Sequence, residues 1–179
     1  MDTAQRRLDL LAFLVALSLL AGPTIAFVAE RNGGAVIMCA MCLAGLVAAR
    51  IIGVPGRVLL PVAFGILAVL CMLWINSPFG ARKTSALAHA IGGTLAGWAA
   101  VEALRHRIGD WRAVALLALS GVIVLTLAWE LGEYAGDLVF GTSLNPSARN
   151  SAEDIVFGTA GGFAGVILGS FVAFGRRSP

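Results

Sequence analysis

Six apolar stretches, at residues 9–28, 35–52, 58–76, 85–104, 113–135 and 153–174, leave little of this 179-residue chain outside them. Crossing the hydrocarbon of a bilayer takes about 20 apolar residues in a helix, and the six stretches are of that order. A segment of that length in lipid must satisfy its own backbone N–H and C=O groups, which makes each one a helix. Composition agrees: 59% of the residues are hydrophobic, 13% are charged and the mean hydropathy is +0.89. That is too little polar surface for a water-soluble domain of this size. The expected fold is all-α, a polytopic membrane protein in which residues 1–179 form one bundle of six transmembrane helices with short loops. Arg6 and Arg7 ahead of "LLAFLVALSLLAG" imitate a signal peptide. Five further spans follow, and the segment is read as a retained first helix.

The 13 basic residues set the orientation. Nine of them, Arg6, Arg7, Arg50, Arg57, Arg105, Arg107, Arg112, Arg176 and Arg177, fall at the two termini and in the 2–3 and 4–5 turns. The other four, Arg31, Arg82, Lys83 and Arg149, fall in the 1–2, 3–4 and 5–6 connections. The positive-inside rule then puts both termini in the cytoplasm. The net charge of +3 is a product of that topology, and nothing in it resembles a nucleic-acid patch. Trp74 and Trp111, near span ends, suit interfacial anchors.

Cys39 and Cys42 form "CAMC" inside the second span, and Cys71 is the odd one out. Away from charges and loop ends, these thiols read as small space-filling hydrophobes. Glycine is patterned: Gly161, Gly165 and Gly169 recur every fourth residue with Gly158 near the same line, and Gly93/Gly97 and Gly132/Gly136 repeat the spacing. Small residues at that spacing let membrane helices approach closely, so they mark the faces buried against neighbours. Pro23 is expected to kink the first helix or end it early.

Against this apolar background the fifth span ends in "WELGEYAGD", with three carboxylates in eight residues. At about 100° per residue, Glu130, Glu133 and Asp137 fall within roughly 60° of one another, apart from the Gly132/Gly136 face. His89 lies early in the fourth span on the side of Gly93, and Asp154 opens the sixth on the face of Gly158. All three spans begin or end on the outer side. One imidazole and four carboxylates are thus expected to meet in an outward-facing pocket that Arg149, Asn150 and Ser151 enter from the adjoining loop. Ionisable groups within spans usually face the protein interior and mark function. Imidazole with carboxylates suits zinc, manganese or iron, so the expected ligands are His89, Glu130, Glu133, Asp137 and Asp154.

Each residue alone also has a plainer reading. Asp154 beside Ser151 and Glu153 suits a helix cap, and Asp137 a solvated position past the fifth helix. His89 suits a polar contact between helices, and Glu130 and Glu133 suit ion pairs with Arg149, Arg82 or Lys83. Glu102 and His106 read as interfacial charges at the inner end of the fourth helix. Polar groups from three helices at one depth favour a joint site.

These motifs resemble those of the VanZ-like and YjdF-like small bacterial inner-membrane proteins. The VanZ-like pattern pairs an intramembrane glutamate with a later Arg-x-Ser-x-x-Asp-x-x-x-Asn-x-x-Gly. Here "RNSAEDIVFGTAGG" places Arg149, Ser151, Asp154 and Gly161 in register, with Gly158 where that pattern has Asn. The YjdF-like pattern is similar at Trp129, Glu130, Glu133 and the upstream His89. The resemblance spans roughly residues 85–170 and implies a bacterial inner (plasma) membrane location and that the matched polar residues act together.

Three functions fit the sequence. In the first, a metal-assisted enzyme hydrolyses or transfers on lipids or lipid-linked envelope precursors, with Glu130 and Arg149 catalytic and Arg149, Arg82 and Lys83 holding an anionic head group. In the second, the chain is a non-catalytic subunit or assembly factor of a larger complex, or a homo-oligomer. In the third it is a cation- or proton-coupled transporter, although the inner half has no matching acids within the spans and no inverted repeat.

Overall fold

A computed structural model describes residues 3–74 and 81–174. The described residues form six helices: α1 (Thr3–Ala29), α2 (Gly33–Ile51), α3 (Gly56–Trp74), α4 (Ala81–Leu104), α5 (Trp111–Phe140) and α6 (Ala148–Phe174). The side chains of Trp74, Arg82 and Lys83, together with Arg176 and Arg177, lie outside the described residues. Four helices, α1, α2, α5 and α6, are long and apolar enough to cross a membrane. Their outward faces carry large apolar side chains such as Leu116, Val124, Leu131, Phe163 and Phe171, more than a water-facing surface tolerates.

Helix boundaries differ from the expected spans where a helix continues through or beyond polar residues. α5 extends to Phe140 and stops at Gly141, whose φ of +64° is the left-handed cap that glycine adopts freely. α6 starts at Ala148, so Asp154 sits almost two turns inside it and is not its cap. The cap is Ser147, whose Oγ accepts from the Asn150 N–H at 3.2 Å. Pro23 does not end α1, which runs on to Ala29.

Two apolar cores support the bundle. One joins α1, α2 and α3 around Leu20, Cys39 and Leu59. The other joins α4, α5 and α6 around Val101, Val114, Ala118 and Val166. The second is held by glycine contact between backbones. A Cβ on Gly161 would fall on the Ala90 carbonyl, and one on Gly165 on the Thr94 carbonyl. The offset is the same in both pairs, so α4 and α6 run parallel. On its other side α6 meets α5 in the opposite sense, Gly158 against Thr126 and Gly162 against Val122. Gly132 and Gly136 face Met41 and Ile37 of α2 instead, as their separation from the acidic stripe implies.

The connections gather at opposite ends. At one, Arg107 of the α4–α5 turn lies over Gly53 of the α2–α3 turn, at a φ of +92°. At this end Arg50 also donates to buried Asp9 at 2.6 Å, while Asp9 accepts from the Arg57 N–H at 3.4 Å. Asp9 thereby ties α1 to α2 and α3, a role its place in an apolar run does not announce. At the other end, Leu144 of the α5–α6 loop packs on Gly34, and the acidic stripe lies beneath that loop.

Candidate metal centre

One row of side chains on α5 explains how the acids reach their partners. Val114, Ala118, Val122, Thr126 and Glu130 are buried at every fourth position, and α6 answers with Gly162, Gly158 and Asp154 descending by fours. Glu130 and Asp154 therefore occupy the next step of the contact that Val122–Gly162 and Thr126–Gly158 begin. The small residues draw the two helices together, and the carboxylates inherit that closeness. α4, held parallel to α6 by its own glycines, brings His89 to the same level.

The three groups converge. His89 Nε2 lies 3.2 Å from Glu130 Oε1, and His89 Nδ1 lies 3.4 Å from Asp154 Oδ1. One ligand atom from each of His89, Glu130 and Asp154 falls within 4.8 Å of the others, and no other such trio occurs among the described residues. Glu130 and Asp154 are buried, Asp154 to 1% exposure.

Hydrogen bonds fix each of the three side chains. His89 Nδ1 is 3.0 Å from the Ser85 carbonyl one turn earlier. A carbonyl only accepts, so Nδ1 carries the hydrogen, and the neutral ring has a bare lone pair at Nε2. Asp154 Oδ2 accepts from Ser85 Oγ at 2.9 Å and from Asn150 Nδ2 at 2.6 Å. Glu130 Oε2 accepts a longer bond from Asn145 Nδ2, 3.4 Å, and the same amide donates to Ser151 Oγ. The Trp129 ring meets the imidazole edge-on, with centroids 6.4 Å apart.

Not every expected ligand joins this group. Glu133 is buried, but its Oε1 accepts from the Trp129 indole N–H at 2.8 Å one turn back on α5. Asp137 serves the loop: it accepts from Thr142 Oγ1 at 2.6 Å, Leu144 N at 2.7 Å and Asn145 N at 2.8 Å. Arg149 lies in the first turn of α6 with its side chain 76% exposed, 3.3 Å from Glu153. Glu130 pairs with His89 rather than with Arg149. Glu102 pairs with Arg105 at 2.8 Å, at the far end of α4.

Arg149 nevertheless borders the site. An open cleft of about 360 Å³ is lined by Ser85, Ser143, Ser147, Arg149 and Asn150, with Leu144 and Pro146. Ser85 and Asn150 are the two residues that also bond Asp154, so the cleft rests on the triad's own partners. The sequence pattern does not single out Ser85 or Asn145 as partners of the site. Ser85 carries one signal, its place a helical turn before His89; Asn145 depends on a loop shape that no periodicity encodes.

No family model, curated protein or solved structure matches the chain.

Proposed function

We propose that His89, Glu130 and Asp154 hold a divalent cation, zinc, manganese or iron, at the end of the bundle that faces away from the cytoplasm. The carrying observation is a pair of orphaned atoms. His89 Nε2 and Glu130 Oε1 are both buried, face each other at 3.2 Å, and neither has a hydrogen-bond partner among the described residues. Two buried acceptors this close repel unless a cation or a proton lies between them. Ligand atoms around a tetrahedral ion with bonds near 2.0–2.1 Å stand about 3.3–3.4 Å apart, close to this separation. The Nδ1–H bond to a backbone carbonyl is the usual support of a metal-binding histidine.

Three protein ligands beside an open cleft suit a reactive site better than a structural one, because a coordination position is left for substrate. The ion would supply Lewis-acid chemistry there. The protein's own part is to orient: Ser85 and Asn150 hold Asp154, Asn145 steadies Glu130, and Arg149 offers charge at the rim. In this reading the chain spans a bacterial inner membrane six times with both termini cytoplasmic, and acts by hydrolysis or transfer on lipids or lipid-linked envelope precursors. The basic residues at the Arg50, Arg57 and Arg107 end support that orientation. The likeness to VanZ-like proteins supports the grouping, since Ser151, Asp154 and Gly161 all lie on the α6 face toward the site or toward α4. Gly158 departs from that pattern for a local reason: a Cβ there would come 2.9 Å from the Thr126 methyl.

A second reading draws on the same contacts. A doubly protonated His89 would be the positive charge between Glu130 and Asp154, making the trio a buried ion pair without metal. Elemental analysis of the purified protein separates the two. The metal reading expects close to one equivalent, lost on chelation and regained on adding back the ion, with Glu130→Gln folded but metal-free. Absence of metal from both untreated and re-loaded protein would leave the imidazolium reading.

A further inference from the structure

The cleft above the triad has a composition of its own. Three hydroxyls (Ser85, Ser143 and Ser147), one amide (Asn150) and one guanidinium (Arg149) line it, and among the described residues no carboxylate does. The first turn of α6 opens onto it, since Ser147 caps that helix and Arg149 and Asn150 follow directly. The Ser143 and Ser147 hydroxyls, a helix N-terminus and an arginine all favour an anion with several acceptor oxygens. Arg149 is engaged by an exposed pair with Glu153 at 3.3 Å, a contact usually worth under about 1 kcal/mol and readily exchanged for a better acceptor.

What stands beneath the cleft sets a condition on that anion. Ser85 Oγ and Asn150 Nδ2, which border the cleft, both donate to Asp154 Oδ2, and Glu130 lies just beyond His89. Without a cation, two carboxylates repel any anion placed here; with one, their charge is compensated and an anion oxygen gains an electropositive partner. Resting on the metal reading above, we infer that this cleft binds a terminal phosphate group, free or as a monoester, and that phosphate and cation bind cooperatively. Linkage makes the effect reciprocal: phosphate tightens the cation as much as the cation tightens phosphate.

Binding of Mn²⁺, followed by loss of the free-ion electron paramagnetic resonance signal, tests this with the whole chain in nanodiscs. The three arms are phosphatidylcholine discs alone, whose phosphate is a choline-blocked diester, the same discs with inorganic phosphate, and discs containing phosphatidic acid, each corrected for the Mn²⁺ taken up by matching discs without the protein. The expected result is Mn²⁺ affinity at least about ten-fold higher in one or both phosphate arms. Enhancement by phosphatidic acid alone identifies a lipid head group as the source; equal enhancement by inorganic phosphate shows that the phosphate itself suffices. Arg149→Gln should abolish the enhancement, read as the ratio of Mn²⁺ affinities with and without phosphate in that same variant. Mn²⁺ binding that is indifferent to both phosphate sources overturns the inference and leaves the metal reading standing. Failure to bind Mn²⁺ in every arm, with zinc and iron also absent from elemental analysis of the re-loaded protein, overturns both.

Discussion

Glu130 of α5 and Asp154 of α6 meet as the polar step of a glycine-packed seam. The steps before it, Thr126–Gly158 and Val122–Gly162, are close enough that a Cβ on either glycine would strike its partner. The site thus borrows its geometry from apolar packing further down the bundle. It stays compact because helices drawn together by glycine have little room to part.

If the seam sets the site, its glycines should be intolerant while others are not. Gly161→Ala places a methyl group on the Ala90 carbonyl, and backbone cannot step aside as a flexible side chain would. Overpacking of this kind costs about 1–3 kcal/mol. Gly92 and Gly121 lie in helices with open space where a methyl group would stand, and alanine there should be neutral or stabilising by up to about 1 kcal/mol. Thermal unfolding in one detergent, read by tryptophan fluorescence, compares the three variants. Equal midpoints would show that α4 and α6 do not touch as described.

The two glutamates of α5 should behave differently despite sharing a face. Glu130 meets His89, whereas Glu133 is occupied by the Trp129 indole. Glu130→Gln is expected to lose bound metal by more than about ten-fold in affinity, as a ligand replacement does. Glu133→Gln keeps a carbonyl to accept the indole hydrogen and should leave metal content within about three-fold of the parent, the change falling on packing rather than on a ligand. Isothermal titration of both variants decides the matter. A larger loss in Glu133→Gln than in Glu130→Gln would reverse the assignment.

That contrast shows what the sequence could and could not convey. Apolar runs made six helices legible, and the carboxylate stripe made one face of α5 legible, because both follow from periodicity. Glycine spacing also showed which faces lie against neighbours. The choice among the acids was not legible. Glu133 and Asp137 lie within the same stripe as Glu130, but an indole one turn away captures the first and a loop five to eight residues on captures the second. These are contacts of particular atoms. The ends of α5 and α6 differ from the expected spans because a charged residue does not end a helix: α5 runs past Asp137 through Leu138, Val139 and Phe140 to Gly141, and α6 starts after Ser147 in a polar turn.

Asp137 should prove to be a loop anchor. Its carboxylate gathers the Thr142 hydroxyl and the Leu144 and Asn145 amides, and Asn145 in turn reaches Glu130. Asp137→Ala removes three charge-assisted bonds, each worth about 1.5–3 kcal/mol when intact, and frees the loop before it frees the helices. Hydrogen exchange at the Leu144 and Asn145 amides is expected to accelerate by at least about ten-fold, with exchange in the middle of α4 and α6 unchanged. Protection at those two amides equal to that of the parent would refute the anchor.

The clamp at the opposite end should affect stability and leave the site alone. Asp9 binds Arg50 at 2.6 Å in a buried setting and bonds the start of α3. Asp9→Ala leaves Arg50 with only the Val54 carbonyl and the face of Phe13 and is expected to cost about 1–3 kcal/mol. Metal affinity should not change, because sites with no shared partners are additive. Unfolding midpoints and metal titration on the same preparation give both quantities. A fall in metal affinity matching the fall in stability would mean that the two ends are coupled.

Ser85 offers the sharpest test of the triad, because it supports two of its members by different atoms. Its backbone carbonyl holds the His89 Nδ1 hydrogen, and its hydroxyl holds Asp154. Ser85→Ala deletes only the second contact, leaving the histidine tautomer in place. Loss of such a supporting hydrogen bond typically weakens a metal by about 10- to 100-fold, and Asn150, still bonded to the same oxygen at 2.6 Å, should hold the loss near the lower figure. Ser85→Thr keeps a hydroxyl and should restore most of the affinity. The double variant Ser85→Ala with Asn150→Ala should lose more than the two single changes combined, since each donor partly covers for the other. Strict additivity in titrations of the four proteins would show that the two donors act on Asp154 independently.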